Sequence, residues 1–347
     1  LGVAVGAVSI VTPMYIAEIV PAAVRGKLVS LNTLMIVVGQ LLAYLVNSLL
    51  ASTGSWRLML GAAAVPGVML AVGMALLPET PLWLARNSRI DAALHIASRV
   101  GISPDELDFA RKEDERRRAR SGSEVHELMR HRWLRITVIV AALLGITQQI
   151  TGVNAIVYFA PTMMNKVGLS TQNAVYTSIV IGVVSVVACW VGLQLIDTLG
   201  RRRLLLIGLS GNVIFLTALA VVYRAAEENA SLALVALACM AGFIASQQAA
   251  VSPTTWLLIS ELVPPQIRGI GMGLAGLALW GMNWVVAQFF LPLVSALSAT
   301  AVFIAFAVLG IAAGAFVARS VPETMQRSLC LLYTSPSPRD RQKSRMP

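Results

Sequence analysis

The sequence predicts an all-α polytopic membrane protein made from a doubled unit. Composition, the count of long apolar runs and two landmarks that recur at one period carry this reading. Of 347 residues, 57% are hydrophobic and only 13% charged, whereas soluble domains carry about 25% charged residues. Mean hydropathy is +0.75. The net charge of +10 collects at the ends of the apolar runs, which marks cytoplasmic loops rather than a nucleic-acid surface. Cys189 and Cys239 fall in apolar runs and Cys330 in the tail, a spacing that suits neither a disulfide framework nor a metal site.

The doubling is read from register. Glu261 is followed at offsets 3, 7 and 8 by Pro264, Arg268 and Gly269, and Glu18 at the same offsets by Pro21, Arg25 and Gly26. The two glutamates stand 243 positions apart, and Pro78-Glu79-Thr80 recurs as Pro322-Glu323-Thr324 at a distance of 244. Two separate landmarks with one period indicate a repeat.

A helical span needs about 20 apolar residues. Nine runs qualify, at roughly 1–20, 29–52, 58–78, 133–160, 172–196, 204–223, 231–259, 270–294 and 299–318. Subtracting the period from Ile136 places its counterpart roughly a hundred residues upstream of Leu1, room for about three more spans. The expectation is therefore nine of twelve helices, in two halves of six. Arg25, Lys27, the 81–132 loop, Arg201-Arg202-Arg203, Arg268 and Arg319 mark one side, while the opposite loops hold only Arg57, Lys166 and Arg224. The positive-inside rule makes the first side cytoplasmic.

The halves divide at 81–132. Apolar spacing at Ile90, Ala93, Leu94 and Ala97, closed by Gly101, predicts one linker helix. Ser103-Pro104-Asp105-Glu106 is a capping-box start for a second, mostly charged one. The organisation expected is thus 1–80 as the last three helices of an N-terminal bundle, 81–132 as a cytoplasmic linker and 133–329 as a C-terminal six-helix bundle. The tail 330–347 is short, rich in Ser, Pro and Arg, and non-native-looking or disordered.

Five motifs then resemble the sugar porter family of the major facilitator superfamily. They are Pro13, Tyr15, Glu18, Pro21, Arg25 and Gly26; Asp197, Gly200, Arg201 and Arg202; the run from Pro78 to Leu84, with Leu82 in place of the family's Arg; Gln148, Gln149, Gly152, Asn154 and Tyr158; and Pro322-Glu323-Thr324. The resemblance implies the major facilitator fold and a secondary transporter of a monosaccharide or polyol in the cytoplasmic membrane. Proton symport is the coupling expected, with facilitative uniport and drug or metabolite efflux as the other readings. The family's coupling acid sits on the first span, upstream of Leu1. A small sugar or polyol, a co-transported proton and the lipid bilayer are the partners, and the carrier is expected to be a monomer that binds no nucleic acid. No enzyme activity, cofactor or metal is implied. HExxH, GxSxG and P-loop motifs are absent, and the GxGxxG at 271–276 lies in an apolar run where small-residue helix packing explains it.

Side-chain chemistry narrows the site. Polar residues at mid-bilayer are costly and usually face a cavity. Gln148 and Gln149 stand mid-span, Asn154 and Tyr158 form an i, i+4 pair, and a break at Gly152 would bring both sets to one cavity. Neutral amides match paired hydroxyls, and an indole face covers the C–H face of a ring. Trp256, Asn283, Trp284 and, on the second span, Thr33 and Gln40 complete the expected substrate set. Thr33 stands where many hexose porters carry Gln, so the second span looks more like members that handle inositol or other polyols. Glu18, Arg25, Asp197, Arg201, Glu261 and Arg268 are expected to cross-link the cytoplasmic helix ends as a gate.

Overall fold

The structure, a computed structural model, describes residues 2–20, 22–51, 53–105, 107–108, 111–112, 115, 124–168, 170–264 and 267–324. The side chains at 10, 13, 14, 17, 18, 22–27, 29, 30, 86, 124, 171–175, 197, 228 and 230 stand outside that description, as does the whole tail from 325. The chain begins with α1 (Gly2–Ile19), α2 (Ala22–Ala51), α3 (Trp56–Ala62) and α4 (Ala64–Leu76). The linker holds α5 (Pro81–Arg86), α6 (Ile90–Val100) and α7 (Glu124–Arg130). Then come α8 (Arg132–Ile150), α9 (Val153–Lys166), α10 (Thr171–Leu199), α11 (Arg201–Glu228), α12 (Ala233–Ser246), α13 (Ser252–Leu262), α14 (Arg268–Leu297) and α15 (Ala299–Ser320).

Among the described residues, eight helical stretches are long and apolar enough to cross a membrane, and they coincide with eight of the nine apolar runs. α1, over the remaining run, is 18 residues long, about 27 Å at 1.5 Å per residue. Helices outrun the apolar segments that predicted them: α11 starts at Arg201 and ends at Glu228, beyond both ends of 204–223. Charged end turns stay helical because the backbone bonds continue outside the hydrocarbon, so hydropathy marks the span and not the helix.

The core from 133 onward is layered. One apolar cluster gathers Val153, Ile156, Met163, Tyr223, Phe243, Phe290, Phe303 and Phe306. A second gathers Leu134, Leu144, Leu205, Leu209, Val251, Leu258 and Ile259. Three stretches pass from one cluster to the other through polar residues: Gln148 and Gln149 between Leu144 and Val153, Asn212 between Leu209 and Leu216, Gln247 and Gln248 between Ile244 and Val251. All five are buried. A polar sheet thus lies across the middle of the bundle, at the level where a membrane helix can least tolerate unpaired groups.

The linker differs in one respect from its expected pattern. α6 ends as predicted, with Gly101 left-handed at φ 79° and the Ile102 N–H donating to the Ala97 carbonyl at 2.9 Å, a Schellman closure. Its buried face is Ala93 and Ala97 with Ile96 and Val100 alongside, while Ile90 and Leu94 are exposed. The rotation arises because the helix packs on Leu84, Ala85, Ile102 and Leu107 of its own linker. Thr80 caps α5, accepting from the Trp83 N–H at 3.2 Å. In the charged stretch beyond, Lys112 pairs with Asp108 at 2.6 Å, and that hydrogen bond holds the Asp108 carboxyl below its usual range.

The helix ends at Arg201 and Glu261 are tied by Pro322-Glu323-Thr324. The Glu323 carboxylate accepts from the Arg201 and Arg202 backbone N–H groups at 3.0 and 3.2 Å, and so sits on the N-terminus of α11. Thr324 donates its hydroxyl to Glu261 at 2.5 Å, and Glu261 lies 3.6 Å from the Arg201 guanidinium. Gly200 makes this possible: its φ is 85°, and a Cβ there would stand 2.9 Å from the Glu323 carboxylate. Of the gate residues expected from the sequence, Arg201 and Glu261 therefore meet, and Arg268 is exposed at the start of α14. The side chains of Glu18, Arg25 and Asp197 lie outside the described residues. Glu323→Gln, which keeps the shape but loses the charge facing two N–H donors, is expected to lower stability by about 1–3 kcal/mol. Thermal unfolding of the detergent-purified protein measures it, and an unchanged midpoint would remove Glu323 as the tie.

Candidate functional site

Two interruptions in the spanning helices build the site. The first separates α8 from α9. Gly152 is left-handed at φ 81°, and the Phe306 ring lies 2.5 Å from where a Cβ would be, so neither the conformation nor the space admits a side chain. The turn at Gly152 moves Asn154 off its ideal-helix direction and back toward Gln149. The second is a π-helical turn, Gln247–Val251, between α12 and α13. Close approach accommodates it: a Cβ on Gly192 of α10 would stand 1.9 Å from the Ala249 carbonyl oxygen. Such turns bulge the backbone and re-aim side chains.

Amides fill the space these breaks create. The Asn154 Nδ2 group donates to Gln149 Oε1 at 2.8 Å and to Asn283 Oδ1 at 2.6 Å, which joins α9, α8 and α14. Both Asn154 protons are thereby used, and the Gln149 NH2 and the Asn154 oxygen remain as polar groups for a ligand. The Gln247 amide donates to the Gln148 carbonyl at 3.0 Å and accepts from Asn212 at 2.5 Å. These contacts fix the backbone that carries Gln148 and Gln149. The Gln148 Oε1 atom itself is buried without a hydrogen-bond partner among the described residues, as is the indole nitrogen of Trp280.

A cavity of about 590 Å³ opens at this level, within the range of small-molecule sites. Its walls come from α2 (Asn32, Thr33, Gln40, Tyr44), α8 and α9 (Gln148, Gln149, Asn154, Tyr158), the π turn and α13 (Gln248, Ser252, Trp256) and α14 (Leu279, Trp280). No Asp, Glu, Lys, Arg or His lies among its described lining residues. The surface offers amides, hydroxyls and indole faces, a chemistry for uncharged polar solutes.

Seven of the nine substrate residues read from the sequence line this cavity: Thr33, Gln40, Gln148, Gln149, Asn154, Tyr158 and Trp256. Asn283 stands behind it and reaches it through Asn154. Trp284 departs from the expectation: it is 63% exposed, lies edge-on to Phe289 at 6.5 Å between centroids and does not line the cavity. The indole on that wall belongs to Trp280, one turn earlier and about 6 Å nearer the Arg268 end of α14. Two tryptophans one turn apart share nearly one helix face, so depth alone separates them, and sequence spacing does not give depth. Gln248 and Tyr44 were also not singled out by the sequence. The tandem amide at 247–248, a second mid-span Gln-Gln, was the available signal for the first.

Residues 1–333 match the family described as Sugar (and other) transporter. The chain is 37% identical over 341 residues to the major myo-inositol transporter IolT of Bacillus subtilis, covering 95% of this chain and 71% of that one. It is 35% identical over 329 residues to the glucose transporter GlcP of Staphylococcus epidermidis, covering 95% and 73%. Among solved structures, the proton:xylose symporter XylE bound to 6-bromo-6-deoxy-D-glucose superposes with a TM-score of 0.75 at 29% identity, over 91% of this chain and 68% of that one. The partially occluded inward-open form of XylE from E. coli gives 0.76 at 27%, over 92% and 69%. The duplicated register, the helix broken at Gly152 and the amide-lined cavity thus belong to a multi-pass membrane carrier of the major facilitator fold, and the chain is a member of the sugar transporter family.

Proposed function

We propose that this protein is a secondary transporter that moves an uncharged, hydroxyl-rich solute, a hexose, pentose or inositol, by alternating access coupled to proton symport. One observation carries the choice of solute. The cavity wall holds a buried acceptor, Gln148 Oε1, and a buried donor, Trp280 Nε1, that the described residues leave unsatisfied. A hydroxyl group both donates and accepts, so a polyol that reaches these groups is able to pair either one. Leaving such groups unpaired costs about 1–3 kcal/mol each, which favours a ligand that pairs them. Gln149, Asn154 and Gln248 offer further amide groups, and the indoles of Trp256 and Trp280 supply apolar faces for a ring.

Similarity to the inositol and glucose transporters supports the substrate class, and similarity to the xylose symporter supports proton coupling. In the same reading, residues 1–80 belong to an N-terminal six-helix bundle, 81–132 form a cytoplasmic linker and 133–329 form the C-terminal bundle. The unit at work is a monomer in the lipid bilayer, and α2 meets α10 and α13 where the bundles face each other.

In the full-length protein, Gln148→Ala or Trp280→Ala is expected to reduce sugar uptake at least about tenfold, from the loss of one buried hydrogen bond each. Trp284→Ala should leave it within about twofold. Equal losses at Trp280 and Trp284 would move the pocket. An uptake screen of labelled hexoses, pentoses and cyclitols, run with and without a protonophore, identifies the solute and the coupling. Symport predicts accumulation against a gradient that the protonophore abolishes, and mere equilibration in both conditions would establish uniport instead.

A further inference from the structure

Pro161 lies inside α9. Proline has no N–H, so the carbonyl four residues earlier, on Val157, loses its helical donor. In a membrane that group needs another partner. Its partner comes from the other half of the chain: the Tyr44 hydroxyl of α2 donates to the Val157 carbonyl at 3.2 Å. Tyr44 is itself held in place. Gln40, one turn below on α2, donates its amide to the Tyr44 oxygen at 2.8 Å. The Tyr44 ring rests on Gly182 of α10, where a Cβ would stand 3.0 Å from the ring carbon Cδ2. Gln40, Tyr44 and Val157 all line the cavity. They lie between its centre and the end of α9 at Lys166, the side that positive-inside topology places outside.

We propose that the Tyr44 hydroxyl is a positioning group for the outer gate. By giving Val157 the hydrogen that Pro161 withholds, it holds α9 against α2 and keeps the cavity shut on the Lys166 side. The bond joins the two halves across the cavity, so it must break when they part on that side. Water then entering the cavity hydrates the freed carbonyl, which is why this orphan group is tolerable in both states. Through Gln40 the bond is also linked to the wall that a solute touches. The proposal rests on the alternating-access reading above and on no particular sugar.

The test reads accessibility, not uptake, so a wrong substrate assignment leaves it intact. In the full-length protein with all its native cysteines, Cys189 and Cys239 among them, changed to Ser, Ile36→Cys puts one thiol on the cavity wall. A membrane-impermeant maleimide is applied to right-side-out and to inside-out vesicles. Tyr44→Phe is expected to speed labelling from outside about three- to tenfold, the factor that one net hydrogen bond supplies, and to slow it from inside. Pro161→Ala, or Pro161→Gly if the first does not reach the membrane, restores an N–H for Val157, and in that background Tyr44→Phe should change neither rate. Unchanged rates in the parent would overturn the proposal. So would faster labelling from both faces, the mark of a loosened structure, or the same shift in the Pro161-substituted background.

Discussion

Hydrogen bonding of the backbone in hydrocarbon governs this molecule more than any other interaction. A span can be unbroken helix with no further help, but each interruption exposes carbonyls or N–H groups that lipid cannot satisfy. Here the interruptions at Gly152, at Gln247–Val251 and at Pro161 fall beside the cavity, and three backbone groups beside the breaks at Gly152 and Pro161 have identifiable partners. The Gly152 N–H bonds to the Gln149 carbonyl at 2.9 Å, the Gln148 carbonyl takes the Gln247 amide, and the Val157 carbonyl takes the Tyr44 hydroxyl. The polar middle layer is the consequence. Amides there serve two purposes: some hold bent backbone in place, and others present their remaining groups to the cavity.

That division explains which amides can be altered without ending the fold. Gln247 is wholly buried and spans α8 and α11, with Asn212 fixing its orientation. Its removal would strand a carbonyl in the bundle's middle. Gln148 contributes its backbone to the same network but its side-chain oxygen to none of it among the described residues. An unsatisfied group at such a depth is uncommon and calls for an explanation, and the proposed solute site offers one. The small residues follow the same logic. Gly192 and Gly152 leave room for the π turn and for the Phe306 ring respectively, so the shape of the cavity depends on side chains that are missing as well as those present.

Much of this could be read in the sequence, because hydropathy, charge asymmetry and register are written locally. Eight spans and the amides at Gln148, Gln149 and Asn154 needed only one-dimensional patterns, and Gly152 stood out as the position where a break would bring two polar sets together. What was not legible depends on neighbours. Nothing in Gln247–Val251 spells a π turn, since the turn exists because α10 and α11 leave space for it. Trp280 and Trp284 differ in depth, not in face. Pro322-Glu323-Thr324 was visible as a repeat marker, yet its role as the anion on α11 appears only when a loop 120 residues earlier folds beside it. α6 announced its helix but not its rotation, which its linker partners set.

The described cavity wall carries no charge, which suits the proposed carrier. An ionised side chain facing a mid-membrane site would carry a desolvation cost that changes each time the site exchanges outer water for inner water and passes through an occluded state between them. Neutral amides carry a smaller cost, and a bound polyol offsets it with hydroxyls in place of the water it displaces. The energy of the empty, occluded and loaded states can then stay close together, which a carrier needs in order to turn over. Charges are instead found at the helix ends, in Glu323, Arg201 and Glu261, where water is within reach of at least part of each group and pairing fixes geometry rather than depth. The described residues thus divide by height: neutral amides and indoles line the cavity at the centre, and charged groups order the helix ends at the rim.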